Sequence, residues 1–290
     1  MSKSIDDPSF ADEEKQARYA FGLNPPKSVI SGHATRKAST QCAYMMPTFL
    51  SMAKENPKLK VLDVGCGPGS ITVDFAEMIP QGHVIGYDLS GAVLETAKIH
   101  AESKGITNVE FVKGDVYNLP FEDGEFDVVH THQAVAHFHE NVRAIKELIR
   151  VTKKNGGILC MREGDLHTAR FYPGYPELEK CFETIIKVHA NNGGATDAGR
   201  RLKHWTVQAG IPRDRIIATH SAWSYNTPEG RKDYGGHWPG RCTHGAFAER
   251  ARELGVTQKE LDGYAMAWKK WTEDEDGAFA MMHGEVIARP

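Results

Sequence analysis

From Leu59 onward the chain switches repeatedly between two hydrophobic periods, and no other feature constrains its fold as strongly. Short apolar runs recur at Leu59–Val64, His83–Tyr87, Val109–Lys113, Phe126–Thr131 and Ile158–Glu163. Segments with helical spacing separate them at Ser70–Met78, Ala92–Ser103 and Asn141–Val151, the second with Ser90 in the N-cap position. Breaks such as Pro80-Gln81-Gly82 and Asn155-Gly156-Gly157 punctuate the series. Strand and helix alternating at these lengths form parallel βαβ units.

The alternation loosens after Asp165. Two helical stretches, Glu177–Ala190 and Asp197–Ala209, flank Asn191-Asn192-Gly193-Gly194. Arg215–Tyr225 and Phe279–Ala288 read as a sixth and a seventh strand, with helices at Gly245–Leu254 and Thr257–Thr272 between them. Residues 226–245, rich in Gly, Pro, Trp and His, read as loop. Upstream, residues 36–54 have helical spacing with a bend at Pro47. Residues 1–35 read as a polar arm with a short helix near Asp12–Tyr19, and Asn24-Pro25-Pro26 as a loop breaker. The acidic run Glu273–Asp276 reads as a solvated helix end. One domain over residues 1–290 is expected: an arm and helix (1–55), a ligand-binding core (56–164), and lid elements (165–210 and 226–275).

Composition narrows the function classes. A net charge of −3 and a pI near 6.5 argue against a nucleic-acid footprint. No run is long and apolar enough to span a membrane, and the first residues lack the apolar stretch of a signal peptide, so a cytoplasmic protein is expected. Five cysteines at wide spacing, without a CxxC pair, read as reduced thiols. A monomer is favoured, with a small molecule as its partner.

The chemistry concentrates in Val61-Leu62-Asp63-Val64-Gly65-Cys66-Gly67-Pro68-Gly69-Ser70. A glycine turn between strand and helix lets a ligand approach the backbone, and the helix N-terminus offers it unpaired amides. Asp88, at the end of the second strand, can take both hydroxyls of a ribose. Gly114-Asp115-Val116, ending the third, can read an adenine edge. A nicotinamide dinucleotide would call for GxGxxG, but Ser70 stands where the third glycine belongs.

Together with Leu119-Pro120-Phe121 and Phe126-Asp127-Val128-Val129, this set resembles the class I methyltransferases that use S-adenosyl-L-methionine, and within them the UbiE-like small-molecule branch. The resemblance spans about residues 36–210. It implies an α/β, Rossmann-like sheet of seven strands, mostly parallel with an antiparallel last strand, helices on both faces, and lids over the cofactor mouth. It implies that Asp63, Gly65, Cys66 and Gly67 border the methionine and ribose parts of the cofactor. Asp88 and Leu89 would hold ribose and adenine, and Gly114, Asp115 and Val116 the adenine. The segments Arg36–Tyr44, His130–Phe138 and Arg162–Asp165 look like a fungal branch serving secondary metabolism, most like the enzymes that S-methylate the dithiol of gliotoxin-type epipolythiodiketopiperazines.

A free thiol has a pKa of about 8.5 and is intrinsically nucleophilic, whereas a phenol sits near about 10 and a carbon acid needs a base. No obligatory base stands out. His132 is the catalytic candidate, alternatively touching the cofactor along with Gln133 and His137; Tyr19 is a further cofactor-binding candidate, and Arg36 and Gln41 are candidates for the cofactor's amino-acid end. Arg162, Glu163, Asp165, Tyr172 and Trp238 are substrate candidates, the first three equally able to tie down a lid through ion pairs. No metal is expected, although His130, His132, His137 and His139 lie close in sequence. C- or O-methylation of a quinone-, phenol- or polyketide-like metabolite is the alternative within the class. A cofactor-binding relative with other catalysis, such as a cyclisation, or with none, is the alternative outside it.

Overall fold

In the computed structural model, which describes residues 35–290, the strands read from the sequence form one sheet. β1 (Lys60–Val64), β2 (His83–Asp88), β3 (Val109–Lys113), β4 (Val128–His132) and β5 (Ile158–Gly164) run parallel in the order β3-β2-β1-β4-β5. β6 (Arg170–Tyr172), β7 (Ile216–Tyr225) and β8 (Ala278–Ala288) complete it. β8 runs antiparallel to β5, from Leu159↔Ala288 to Gly164↔His283. It pairs with β7 along nearly its whole length, so β6, bonded to residues 278–280, extends the edge that β5 occupies. The eighth strand is a correction to the expected seven. β6 is only three residues long and partly exposed, too short for a period to show. The arm, Tyr19 and Asn24-Pro25-Pro26 lie outside the described residues.

Helices follow the reading in the core and depart from it in the lids. The expected helix over 36–54 is two: α1 (Ala38–Gln41) and α2 (Met46–Glu55). Pro47 falls in the first turn of α2, where a missing amide costs nothing, so it starts a helix rather than bending one. α3 (Ser70–Met78), α4 (Gly91–Ser103), α5 (Asn141–Val151), α6 (Pro176–Asn191) and α7 (Ala198–Gln208) match to within a residue or two. Residues 226–245 are not loop. They carry α8 (Pro228–Gly235) and α9 (Trp238–Thr243), each with a proline in its first turn. α10 (Ala246–Glu253) and α11 (Gln258–Glu273) follow, the latter opened by a Thr257–Glu260 capping box.

Burial sorts the sheet into two packed faces. Val61, Val84, Val128, Ile158, Cys160 and Ile287 pack under Phe49 of α2 and Phe75 of α3. Leu62, Ile85, Val129, Leu159 and Met161 pack against Ile145 and Leu148 of α5 and Leu202 of α7. A further core holds Leu178 and Phe182 of α6, Trp268 and Trp271 of α11, and Phe279 and Met281 of β8. It builds a helical cap over the first half of β8. No helix among the described residues is long and apolar enough to cross a membrane.

Candidate active site

The carboxyl ends of β1, β2 and β3 are laced together by the backbone. Gly65 and Gly67 take φ of 73° and 54°, where a side chain is strained. This conformation aims the Gly65 amide at the Tyr87 carbonyl (2.7 Å) and the Gly67 amide at Asp88 Oδ2 (2.9 Å). Asp88 Oδ1 accepts the Ser90 amide at 2.9 Å. Burial raises the Asp88 carboxyl above its ordinary range in spite of these amides. The Gly114 amide donates to the Asp88 carbonyl (3.0 Å), and Asp115 Oδ1 accepts the Tyr117 amide (3.0 Å). A Cβ on Gly67 would meet no heavy atom within 4 Å, so an open groove lies over the loop. Asp88, Leu89, Asp115 and half-buried Cys66 are only partly covered around it, while Val116 is buried beside them.

Asp63 is placed differently from the expectation. It is buried, Oδ1 sits 2.7 Å from His130 Nδ1, and Oδ2 accepts the Thr72 hydroxyl at 2.6 Å. With both oxygens engaged it braces the loop from beneath. His130 Nε2 reaches Cys42 Sγ at 3.4 Å. Burial opposes charge on His130, but Cys42 and Asp63 outweigh it and push the imidazole up to about 10.

The ends of β4 and β5 supply the next group. His132 is buried with neither ring nitrogen bonded, and burial, Arg36 and Arg162 hold it well below the usual histidine range. Gln133 has φ of 56°, and its side-chain nitrogen has no partner. Glu163 Oε1 accepts the Ala134 and Val135 amides, both at 2.7 Å, and burial pushes the carboxyl up to about 7. His137 packs its ring edge to face with His189, 4.9 Å between centroids, and burial followed by His189 drives it down to about 3.

Of the residues expected to meet substrate, several are engaged elsewhere. The Arg162 guanidinium bonds Glu285 (3.2 Å), Ser221 (3.0 Å) and Gln41 (3.1 Å). Gln41 Oε1 also accepts the Trp223 indole at 2.7 Å, so the pair ties α1 to the sheet. Asp165 is fully buried in a two-pronged ion pair with Arg200. Tyr172 points outward from β6 at 63% exposure. Of that group Trp238 is the one that faces the cavity described next.

A chamber of about 460 Å³ opens beyond Gln133 and His137, between the segment around Arg36 and the cap. This is a small-molecule volume. Phe182, Ile185, Trp223, Tyr234, Trp238 and Phe247 wall it, and Arg36 and Arg241 enter it. The Arg36 guanidinium lies 5.4 Å from the Trp223 ring and that of Arg241 5.0 Å from Trp238. Burial, and then Arg36, lower Arg241 to about 10, which leaves it charged at neutrality. Lys37 and Arg250 add positive charge, and the described lining holds one carboxylate, exposed Asp233. Arg241 and Phe182 escaped the sequence reading because their segments show no motif, whereas Trp223, Tyr234 and Trp238 belong to the aromatic set from which a pocket wall could be expected. The half-buried arginine on a proline-started helix became legible only once 226–245 proved helical.

Residues 55–210 match a family model described as methyltransferase domain. The chain belongs to that family. An uncharacterized methyltransferase of Schizosaccharomyces pombe is 34% identical to it over 279 residues, 94% of this chain and 96% of that protein. Two solved structures share the fold. The [4+2]-cyclase SpnF superposes with a TM-score of 0.53 at 19% identity, covering 89% of this chain and 85% of its own. Phosphoethanolamine N-methyltransferase 2 of Haemonchus contortus, solved with phosphomonomethylethanolamine and S-adenosylhomocysteine, gives 0.51 at 17%, covering 84% and 53%. At such identities these two speak for the fold alone. The protein is an S-adenosyl-L-methionine-dependent methyltransferase of the small-molecule type.

Proposed function

We propose that this methyltransferase acts on a small, largely apolar acceptor that reacts as an anion, and that the acceptor is a thiol of a reduced dithiol metabolite of the gliotoxin kind. The observation that carries the reading is the pair of half-buried guanidiniums, Arg36 and Arg241, inside an aromatic chamber. A cation within a few ångströms favours the ionised form of an acid, and low dielectric amplifies the effect. A thiol starting near about 8.5 needs only a modest push to be thiolate at neutrality, whereas a phenol starts about 1.5 units further away.

The residues around the open groove fit the cofactor. Asp88 takes the ribose hydroxyls, with Leu89 beside the ring, while Asp115 and the Val116 backbone read the adenine. The backbone turn at Gly65, Cys66 and Gly67, its amides spent on the Tyr87 carbonyl and Asp88, lets the methionine and ribose parts approach closely, and Gly114 allows the β3 turn to close, since a Cβ there would strike Tyr87. Gln133 and His137 line the chamber on the side of the groove, with His132 buried behind them at the end of β4. When bound, the cofactor supplies an electrophilic methyl on a sulfonium. The protein's part is to orient the two partners and exclude water. The cap and the segment around Arg36 close the chamber, the aromatic walls hold the acceptor's apolar body, and the arginines hold its anion.

The test is the pH dependence of turnover on an alkyl dithiol. In the wild type the rate should level off below the thiol's solution pKa. In Arg241→Met, which keeps the packing stem, the rising limb should move up by about 1 unit. An unmoved limb would remove the arginine from the account.

A further inference from the structure

We infer that the chamber holds a dianionic ligand at two separate stations, and that Arg241 is the specificity residue for the charge that does not react. The inference deepens the thiol reading above and rests on it for the identity of the acceptor. In that reading the two charges are the two sulfurs of one dithiol. The sulfur at Arg36 meets the cofactor's methyl, and the other is anchored under the cap by Arg241.

Two guanidiniums in one chamber of about 460 Å³ are held at different places. Arg36 lies over the Trp223 ring of β7 at 5.4 Å, and Arg241 over the Trp238 ring of α9 at 5.0 Å. Two further rings lead from one tryptophan to the other. Trp223 meets Tyr234 of α8 (6.1 Å between centroids), Tyr234 meets Trp268 of α11 (5.8 Å), and Trp268 stacks on Trp238 (5.3 Å). Arg36 belongs to the end near the groove, where the charges it feels are Arg162 and Glu163 at the close of β5. Gln133 lies there too, its backbone amide donating to the Arg162 carbonyl at 2.9 Å. Arg241 belongs to the cap, where it feels Arg36, Tyr234 and its neighbour Cys242.

Neither charge is neutralised by the protein. Among the described residues no carboxylate forms an ion pair with Arg36 or Arg241, and Arg241 Nε is enclosed without a hydrogen-bond partner. Glu163 spends one oxygen on the Ala134 and Val135 amides and its other has no partner, so it does not bond Arg36. Asp233 is exposed, and it acts on His237 and Tyr225. Lys37 and Arg250 of the same lining add charge of the same sign. Like charges sharing a poorly solvated space are costly, and a single anion leaves one of them uncompensated. A ring-stacked guanidinium keeps its N–H edge for an anion, so each station can take one. Around them Phe182, Tyr234 and Phe247 supply an apolar surface for the hydrocarbon frame that joins the two charges.

Two measurements on the full chain test the assignment. With S-adenosylmethionine present, m-xylylenedithiol should show a KM about tenfold below that of phenylmethanethiol, the scale of one charge-assisted contact. In Arg241→Met that preference should fall to the statistical factor of about two that comes from carrying two equivalent thiols. In Arg241→Lys, which keeps the charge, most of it should remain. A wild-type preference no larger than the statistical factor, or a larger one that survives in Arg241→Met, would overturn the inference. Independently, calorimetry with S-adenosylhomocysteine bound should find isophthalate about tenfold tighter than benzoate, the gain being lost in Arg241→Met. Equal affinity for the two carboxylates, or an equal loss of both in Arg241→Met, would mean one shared anion site and overturn the inference. If the wild type methylates neither thiol, the thiol reading falls, and the carboxylate pair alone decides between one station and two.

Discussion

Asp88 and Asp63 show how far single residues can be read. Both sit at strand ends beside the glycine loop, and sequence alone placed both at the cofactor. The fold divides them by exposure: both carboxylates accept a bond on each oxygen, but Asp88, held by the Gly67 and Ser90 amides, stays partly open, while Asp63 is buried against His130 and Thr72. That difference depends on what β4 and α3 bring from elsewhere in the chain, which no local motif encodes. Asp88→Ala should therefore weaken S-adenosylmethionine binding by about tenfold or more, about 1.4 kcal/mol, in titration calorimetry. Unchanged affinity would remove Asp88 from the ribose. Glu163 carries a pH signature. Its folded value of about 7 lies above that of a free carboxyl, so the unfolded chain gives up this proton first. Its contribution to stability therefore falls as pH rises from about 4.3 to about 7. Glu163→Gln, which can still accept the Ala134 and Val135 amides, should flatten that part of a plot of Tm against pH. An unchanged slope would mean that Glu163 is ionised in the folded protein.

At the scale of elements, β1, β2, β4 and β5 were legible because each lies between two strands and is buried along nearly its whole length, while the edge strand β3 showed through Val109, Phe111 and Val112. β6 has no such run, and α8 and α9 were hidden by prolines that mark helix starts as readily as breaks. The cap depends on a few large aromatic residues. Trp271 is fully buried, donates to the Tyr172 carbonyl at 3.1 Å and packs edge to face with Trp268 and Phe171. Trp271→Ala should cost about 3–5 kcal/mol in denaturant unfolding. A loss under about 1 kcal/mol would mean that the cap does not hold together through this core.

At the scale of the molecule, the sheet has two working regions. The parallel half, β3-β2-β1-β4, ends in the groove that fits the cofactor, and its motif was readable because the turn chemistry is local. The half built on β5, β8 and β7 carries the chamber, closed by the cap and by the segment around Arg36. Its character emerges only when residues more than a hundred positions apart meet, as Gln41 does with Arg162 and Trp223. The central claim joins the two: methyl transfer from the groove to an anion in the chamber. The most direct measurement is mass spectrometry of a reduced dithiol diketopiperazine incubated with the protein and methyl-deuterated S-adenosylmethionine. The account expects labelled methyl groups on sulfur. Labelled methyl on oxygen or carbon alone, or an acceptor left unmodified by protein shown to bind the cofactor, would contradict it.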